Sequence, residues 1–403
     1  MKKTINTDLP ISISGKQSVH VVQMNNYIRP STTRLLQQST TYLTNGVDNS
    51  FFTYVEDRYI GSPTSQAVID GISNYIYGEG LVSTGVDINL LLSKTDARLL
   101  VKDLKMQGAY ALQIVYSKDR KSIAKMYYIP IKTIAIVKQA DITEEPQAYW
   151  YSFDWTLKTK FRPKKIPAFG YGNTDPDLGE IDYEELLYVK IPSSQPLFAL
   201  PDYVSGLQAA ETEEEISNFC ITYIKNNFSA GKVVNINQGL PENDAAQEEA
   251  ERAVLAKVKG TTNAGNIIIS FNNNKENATT VDTIEITNAY EQFEWLSTHC
   301  RDNILMSHKI NDPGLFGIIT GTGFSSTADQ MAMSLKILYR NQVNPLREII
   351  VEGLERAVRY NNPQATINFK DFSEEKLDTT VNTQPDNNVI QEQGVKPLNT
   401  KIS

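Results

Sequence analysis

Apolar residues recur at three- and four-residue spacing in several stretches of the chain, and this spacing predicts amphipathic helices. One stretch covers residues 64–77 and stops at Gly78, and a second covers residues 96–107 and stops at Gly108. A glycine directly after the last apolar residue is a common helix end. Residues 109–116 follow as a predicted strand, so this part of the chain combines helix, glycine and strand.

Short strand-like runs separated by prolines and glycines occupy the chain up to about residue 190. Together with the preceding helices, they indicate a mixed α+β domain. The aromatic residues of the third run could stack on nucleic-acid bases, but alternating aromatic residues in a strand more often pack a sheet, so we assign them to the core. The predicted strands are 126–129, 133–137, 148–155 and 185–191.

Two longer helices bracket a small module in the second half of the chain. Residues 207–228 are acidic at first and apolar later, and residues 288–309 carry a second apolar stripe. Both patterns have helical spacing. The bracketed module is predicted to contain a strand at 233–236, a helix at 241–259 and a strand at 266–271.

A glycine-rich segment, residues 311–326, precedes the last long helix and is predicted to be a mobile loop. The helix that follows extends to residue 360 and contains Pro345. Because proline has no backbone N–H and its ring clashes with the preceding turn, we expect a kink at residues 341–344. Residues 365–369 form a predicted closing strand.

Composition and charge narrow the class of protein. The 403 residues are 40% hydrophobic and 21% charged, which suits two or three globular domains and excludes a collagen-like or disulfide-scaffold protein. No apolar run approaches the roughly 20 residues that span a bilayer, so we expect no membrane partner. The net charge of −8 is unlike that of a tight duplex binder, but it is compatible with DNA that slides past the protein.

Residues that would indicate an enzyme or a metal site are not grouped in the sequence. No phosphate-binding P-loop sequence occurs, and the histidines and the cysteines Cys220 and Cys300 lack metal-ligand spacing. Acidic pairs such as Glu184 and Glu185 have no nucleophile beside them in the pattern. We therefore predict a protein that is not an enzyme and has no cofactor, metal or catalytic residue.

The order of these elements resembles the phage portal protein family. In sequence, the resemblance is clearest at residues 200–203, 223–231, 263–269 and 288–354, and the unit at Gly108 is also similar. It covers about residues 64–369. The resemblance implies an α+β portal-like fold with a mixed wing domain, a two-helix stem, a small αβ clip, a tunnel loop and a long kinked helix.

The domain boundaries that follow from the resemblance cover the whole chain. The polar end of the chain departs from the helical crown that many portals carry there. The predicted parts are an N-terminal arm at 1–45, the wing at 46–206, stem helix 1 at 207–230, the clip at 231–287, stem helix 2 at 288–310, the tunnel loop at 311–326, the long kinked helix and closing strand at 327–372, and a disordered C-terminal tail at 373–403.

The resemblance also implies candidate functional residues. The tunnel loop would point into a channel, the stem would carry lumenal charges, and the clip would contact the motor and later the adaptor. Acidic residues such as Glu213 would repel DNA from the channel wall and keep sliding friction low. The tunnel-loop residues are Gly314, Leu315, Phe316, Gly317, Gly321, Gly323 and Phe324, the stem and channel candidates are Lys225, Asn226, Glu294, Arg301 and Lys309, and the clip candidates are Lys232, Glu248, Arg252, Lys257 and Lys259.

The implied function is a dodecameric ring at one capsid vertex, through which the terminase motor packages the genome and DNA is later ejected. The implied partners are other copies of the chain, the terminase large subunit, the major capsid and scaffold proteins, a head-tail adaptor, and double-stranded DNA that passes without sequence specificity. The implied location is the portal vertex of the virion, and the host cytoplasm during assembly.

Two alternatives from other classes stay open at this point. A structural adaptor or baseplate protein of the virion would share the acidic charge and ring assembly but would need no lumenal glycine loop. A DNA-processing hydrolase would show divalent-metal-dependent nuclease or ATPase activity, and we expect none.

Overall fold

The structure is a computed structural model. It describes residues 41–138, 144–175, 177, 179–193, 195, 197–225, 232–236, 267–271, 289–318 and 328–372, with the backbone alone at 222–225, 232–236, 267–271, 289–292 and 328. The predicted helix at 241–259 and the predicted disordered tail at 373–403 lie outside these residues.

The described residues form helices and strands in mixed order. The helices are α1 (Ser50–Gly61), α2 (Pro63–Tyr77), α3 (Ile88–Leu91), α4 (Lys94–Gln107), α5 (Leu207–Lys225), α6 (Ala289–Ser307), α7 (Ala328–Leu338) and α8 (Asn344–Val358). The strands are β1 (Tyr42–Leu43), β2 (Gly80–Thr84), β3 (Ala109–Tyr116), β4 (Ile123–Ile129), β5 (Ile134–Val137), β6 (Ala148–Tyr151), β7 (Lys164–Pro167), β8 (Glu184–Lys190), β9 (Lys232–Ile236), β10 (Ile267–Phe271) and β11 (Thr366–Lys370).

Two antiparallel sheets organise the first half of the chain. One has the strand order β4-β3-β8 and the other the order β1-β5-β6-β7. β11 pairs antiparallel with β2, which joins the end of the described chain to its first helices. β9 and β10 pair in parallel.

Strand β3 separates two hydrophobic cores. Tyr110, Leu112 and Ile114 point to one core, which also contains buried residues of α2, α4 and α8. Ala109 and Ala111 point to the other core, which lies against α1 and the sheet of β5, β6 and β7. Because successive side chains of a strand point to opposite faces, one buried strand supplies both cores.

The long C-terminal helix is interrupted by a π-turn at Tyr339–Val343, between α7 and α8. In this turn the Asn344 N–H donates to the Tyr339 carbonyl, five residues earlier. Pro345 follows directly and cannot donate to the preceding turn, which is the physical reason for an irregular bond pattern here. The helix is therefore irregular where the kink at 341–344 is predicted, and the π-turn begins two residues earlier.

Two further differences from the predicted elements are clear. Helix α1 was not predicted, and its buried residues Phe51, Phe52 and Val55 belong to the second core. The strand predicted at 148–155 ends at Tyr151, because the chain turns into a short 3-10 helix that buries Trp155.

Among the helices of the described residues, none is both long enough and apolar enough to cross a bilayer.

Candidate functional site

Helices α5 and α6 form an antiparallel pair, which we call the helix pair. Gly206, directly before α5, lies against Ser307, the last residue of α6. The approach is so close that a methyl group on Gly206 would lie 2.1 Å from the Ser307 hydroxyl oxygen. Further along the pair, Phe219 stacks on Phe293 with 4.9 Å between ring centroids. The start of α5 therefore lies by the end of α6, and the two helices run in opposite directions.

The outward face of α6 carries large apolar side chains in solvent. Trp295 is 62% exposed and Met306 is 74% exposed. The spacing of Trp295, His299, Asp302 and Met306 places all four on one helical face. The Trp295 and His299 rings are stacked nearly parallel, at 5.0 Å between centroids. A helix face with two large apolar side chains in solvent is typical of a surface that another protein covers.

The acidic first half of α5 is attached to α1 and α2. Arg58 lies 3.3 Å from Glu211 and 3.1 Å from Glu214, and both carboxylates are partly buried. Glu213 accepts hydrogen bonds from the hydroxyl groups of Ser62 and Thr64. Glu213, suggested as a channel residue, thus attaches the helix pair to the mixed domain through these two hydrogen bonds.

A buried polar cluster, which we call the polar joint, fixes the base of the helix pair. It consists of Lys105 of α4, Asp202 ahead of α5, and Gln342 of the π-turn. The fully buried Lys105 ammonium lies 2.8 Å and 3.0 Å from the two Asp202 carboxylate oxygens and 3.2 Å from the Gln342 amide oxygen. Burial lowers the pKa of Lys105, and the Asp202 charge opposes that shift.

Tyr203 and His308 complete the base of the helix pair. Their rings stack at 4.1 Å, and the Tyr203 hydroxyl donates to the Met106 carbonyl at 2.8 Å. His308 follows α6 and is fully buried. Burial lowers the pKa of His308 well below its usual value, and the nearby Lys105 charge adds to that effect. The imidazole is therefore neutral near pH 7.

The first residues of the predicted tunnel loop form a 3-10 turn at Pro313–Phe316, which we call the loop foot. The Asp312 carboxylate accepts from the Gly314 N–H at 2.9 Å and caps this turn. Gly317 follows with a φ of 71°, a left-handed conformation that favours glycine. The first residues of the predicted mobile loop therefore contain a capped turn.

The loop foot is docked on helix α2. The Tyr75 hydroxyl donates to the Leu315 carbonyl at 3.2 Å, and the Tyr75 and Phe316 rings meet edge to face at 6.1 Å. A methyl group on Gly71 would lie 2.3 Å from the Phe316 ring, so the absence of a side chain there lets the ring approach. Gly321, Gly323 and Phe324 lie outside the described residues.

The other predicted site residues are spread along the chain. Glu294 is exposed on α6, and the partly buried Arg301 pairs with its neighbour Asp302 at 3.3 Å. Lys309 is exposed just after α6 and has a left-handed φ of 58°. Lys225 and Lys232 are described by backbone alone, at the end of α5 and the start of β9. Asn226, Glu248, Arg252, Lys257 and Lys259 lie outside the described residues.

Two polar features of the mixed domain were missed by sequence reasoning. The buried Asp103 carboxylate accepts from the Tyr128 hydroxyl at 2.6 Å and from the Ile131 N–H at 3.1 Å, beside a cavity of about 290 Å³. Burial raises the pKa of Asp103 to about 6.

Glu185, which the sequence placed on a solvated surface, is fully buried and pairs with Arg120. Within the described parts of the chain, no cluster of three potential metal ligands occurs.

Comparisons with known proteins agree with this architecture. No protein-family model matches the chain. The chain is 23% identical over 288 residues to the probable portal protein of Escherichia phage P2, which covers 72% of each chain. It is also 23% identical over 192 residues to the probable portal protein of Haemophilus phage HP1, which covers 47% of this chain and 54% of that protein. The resemblance to the phage portal family is confirmed.

The fold is shared with chains from gene transfer agent particles. A chain from the neck of the native particle, computed with C12 symmetry, has a TM-score of 0.54 and 13% identity, over 83% of this chain and 86% of that chain. A chain from the native virion has a TM-score of 0.53 and 14% identity, over 82% and 86%. The α+β fold class expected for a portal is therefore confirmed. The sequence match to the HP1 protein spans about half of that protein's length.

Proposed function

We propose that the chain is the subunit of a phage portal, a closed ring that surrounds a DNA channel at one capsid vertex. The observation that carries this proposal is the helix pair. Its base is fixed to the mixed domain, whereas Trp295 and Met306 stand in solvent on the outer face of α6. The described part of the chain leaves this face uncovered, and a repeated contact between neighbours around an axis would bury it.

The proposed ring has twelve copies. The neck chain with the same fold comes from a reconstruction with C12 symmetry, and this supports the number. The proposed partners are the terminase large subunit, the major capsid and scaffold proteins and a head-tail adaptor. The net charge of −8 suits a channel through which DNA passes without sequence specificity, since few phosphate contacts mean little non-specific retention.

The proposed role is structural rather than enzymatic. The relatives in phages P2 and HP1 are named as probable portal proteins, which supports a virion protein without turnover. The subunit would assemble in the host cytoplasm and stay at the portal vertex of the virion. Exposed Glu294 and Lys309 remain candidates for the channel surface, and Gly321 and Gly323 for the loop within it.

A packaging experiment with matched variants tests the proposal. Trp295→Ser combined with Met306→Ser removes the apolar face of α6, and Leu90→Ser removes one equally exposed apolar side chain, 66% exposed, from α3 in the mixed domain. With the capsid proteins and terminase present, we expect the double variant to yield few DNA-filled heads and the control to yield wild-type numbers. Normal packaging without any ring of this chain would contradict the proposed function.

A further inference from the structure

The π-turn at Tyr339–Val343 contacts two distant parts of the molecule at once. Its first residue, Tyr339, meets Tyr75 at 6.2 Å between ring centroids. Its fourth residue, Gln342, is buried and accepts from Lys105. A π-turn carries one more residue per turn than an α-helix and is often found at functional positions.

On one side, the polar joint ties the π-turn to the base of the helix pair. Lys105 bridges Gln342 and Asp202, and Asp202 directly precedes Tyr203, which stacks on His308. Three contacts thus connect the π-turn with both the chain entering α5 and the chain leaving α6. A fully buried ammonium group needs both acceptors to stay hydrogen-bonded. If one acceptor moves, the ammonium group must move with it, and this displaces the other acceptor.

On the other side, Tyr75 ties the π-turn to the loop foot. The same tyrosine contacts Tyr339, the Phe316 ring and the Leu315 carbonyl. Arg347 of α8 holds the end of α2 in place by donating to the Tyr75 carbonyl at 2.9 Å and to the Ile76 carbonyl at 2.8 Å. The loop foot is therefore docked on a helix end that is itself fixed by the residues just after the π-turn.

We propose that the π-turn is a mechanical relay between the base of the helix pair and the loop foot. A displacement at the base of the helix pair moves Lys105, which moves Gln342 of the π-turn. The π-turn then moves Tyr339, and this displacement reaches the loop foot through Tyr75. The relay is a property of the fold. Only its biological role rests on the proposed function: in a portal ring, the relay would link the stem with the loop that starts at Pro313.

Hydrogen exchange of the assembled full-length protein tests the relay, because both ends carry protected amides. At the loop foot the Gly317 and Ile318 N–H groups donate to Gly314 and Pro313, and at the base the Gly206 N–H donates to Tyr203. Gln342→Met keeps the side-chain length and removes the acceptor of Lys105. We expect it to speed exchange at Gly317 and Ile318 by roughly threefold or more.

The matched control for Gln342→Met is Gln107→Met. Gln107 is equally buried, 2% exposed, and donates to the Phe52 carbonyl at 3.0 Å, away from the π-turn. We expect this control to leave exchange at the loop foot unchanged. If both variants speed exchange there equally, the effect is general loosening and the relay does not exist.

A reciprocal variant works from the opposite end. Gly71→Ala forces the Phe316 ring away from α2, and linkage requires a relay to transmit that change to the Gly206 amide. The backbone from His308 to Pro313 offers a second, direct route between the base of the helix pair and the loop foot. The two variants must therefore be combined to separate this route from the relay. We expect Gly71→Ala to lose most of its effect on Gly206 when Gln342→Met is present, whereas additive effects would mean that the direct route carries the coupling.

Tyr339→Leu provides a second way to cut the relay if Gln342→Met does not assemble. It removes the aromatic contact with Tyr75 and leaves the polar joint intact. We expect Gly71→Ala to have little effect on Gly206 exchange in this background. An undiminished effect would overturn the proposal, whether or not the chain functions as a portal.

Discussion

Asp103 makes the stability of the protein depend on pH in a predictable direction. The residue is 6% exposed, and burial raises the pKa of its carboxyl group from 3.8 to about 6, with a smaller contribution from the Glu56 charge. Hydrogen bonds from Tyr128 and Ile131 oppose the shift but do not cancel it. The folded state therefore holds this proton more tightly than the unfolded state does.

The sign of the effect follows from proton linkage. Between about pH 4 and pH 6 the folded state binds more protons at Asp103 than the unfolded state, so the free energy of unfolding falls as the pH rises. Each unit of pKa shift corresponds to about 1.4 kcal/mol, and a shift of about two units corresponds to about 3 kcal/mol. This contribution is complete below pH 4 and lost above pH 6.

Asp103→Asn removes the ionisation while keeping a similar shape. We expect the variant to match the wild type near pH 4 and to exceed its free energy of unfolding at pH 7 by up to about 3 kcal/mol. The assay is urea unfolding from pH 4 to pH 7 at one fixed protein concentration, since the stability of an oligomer depends on concentration. If the difference between variant and wild type is the same at every pH, Asp103 does not titrate as inferred.

Three other predictions concern buried contacts. Gly353→Ala places a methyl group 2.2 Å from the Tyr110 hydroxyl oxygen, and we expect it to lower the free energy of unfolding by about 1–3 kcal/mol in urea unfolding. Glu185→Gln leaves the buried Arg120 without its charged partner, which should cost about 3–5 kcal/mol and lower the melting temperature measured by scanning calorimetry. His308 acts in the opposite direction to Asp103, because burial lowers its pKa and its contribution to the free energy of unfolding falls as the pH drops below 6.5; His308→Phe should therefore gain stability relative to the wild type as the pH is lowered, in acid titrations followed by circular dichroism.

The apolar spacing predicted most helices because packing and sequence agree there. Helices α2 and α4 bury most of their apolar residues, and α6 buries Cys300, Ile304 and Leu305, whereas Phe219 of α5 is 43% exposed. Helix α1 was missed because it begins with Phe51 and Phe52, which favour strands, and because its first turn has no side-chain cap. Its burial in the second core overrides these local preferences, and only the folded structure shows that core.

The candidate site depended on contacts between residues far apart in sequence. Glycine content predicted a loop after Asn311, but the loop foot docks because Gly71 leaves room for Phe316. Nothing near Glu213 in the sequence points to its bonds with Ser62 and Thr64. The order of the elements was enough to recognise the portal resemblance, whereas the roles of individual side chains required the tertiary structure.

Electron microscopy of the purified full-length protein tests the central claim most directly. Averaged images viewed down the symmetry axis should show a closed ring, with twelve subunits around an open channel wide enough for duplex DNA and the helix pair packed between neighbours. A protein that stays monomeric at high concentration and within assembled particles, or that forms a ring with no central opening, would contradict the account.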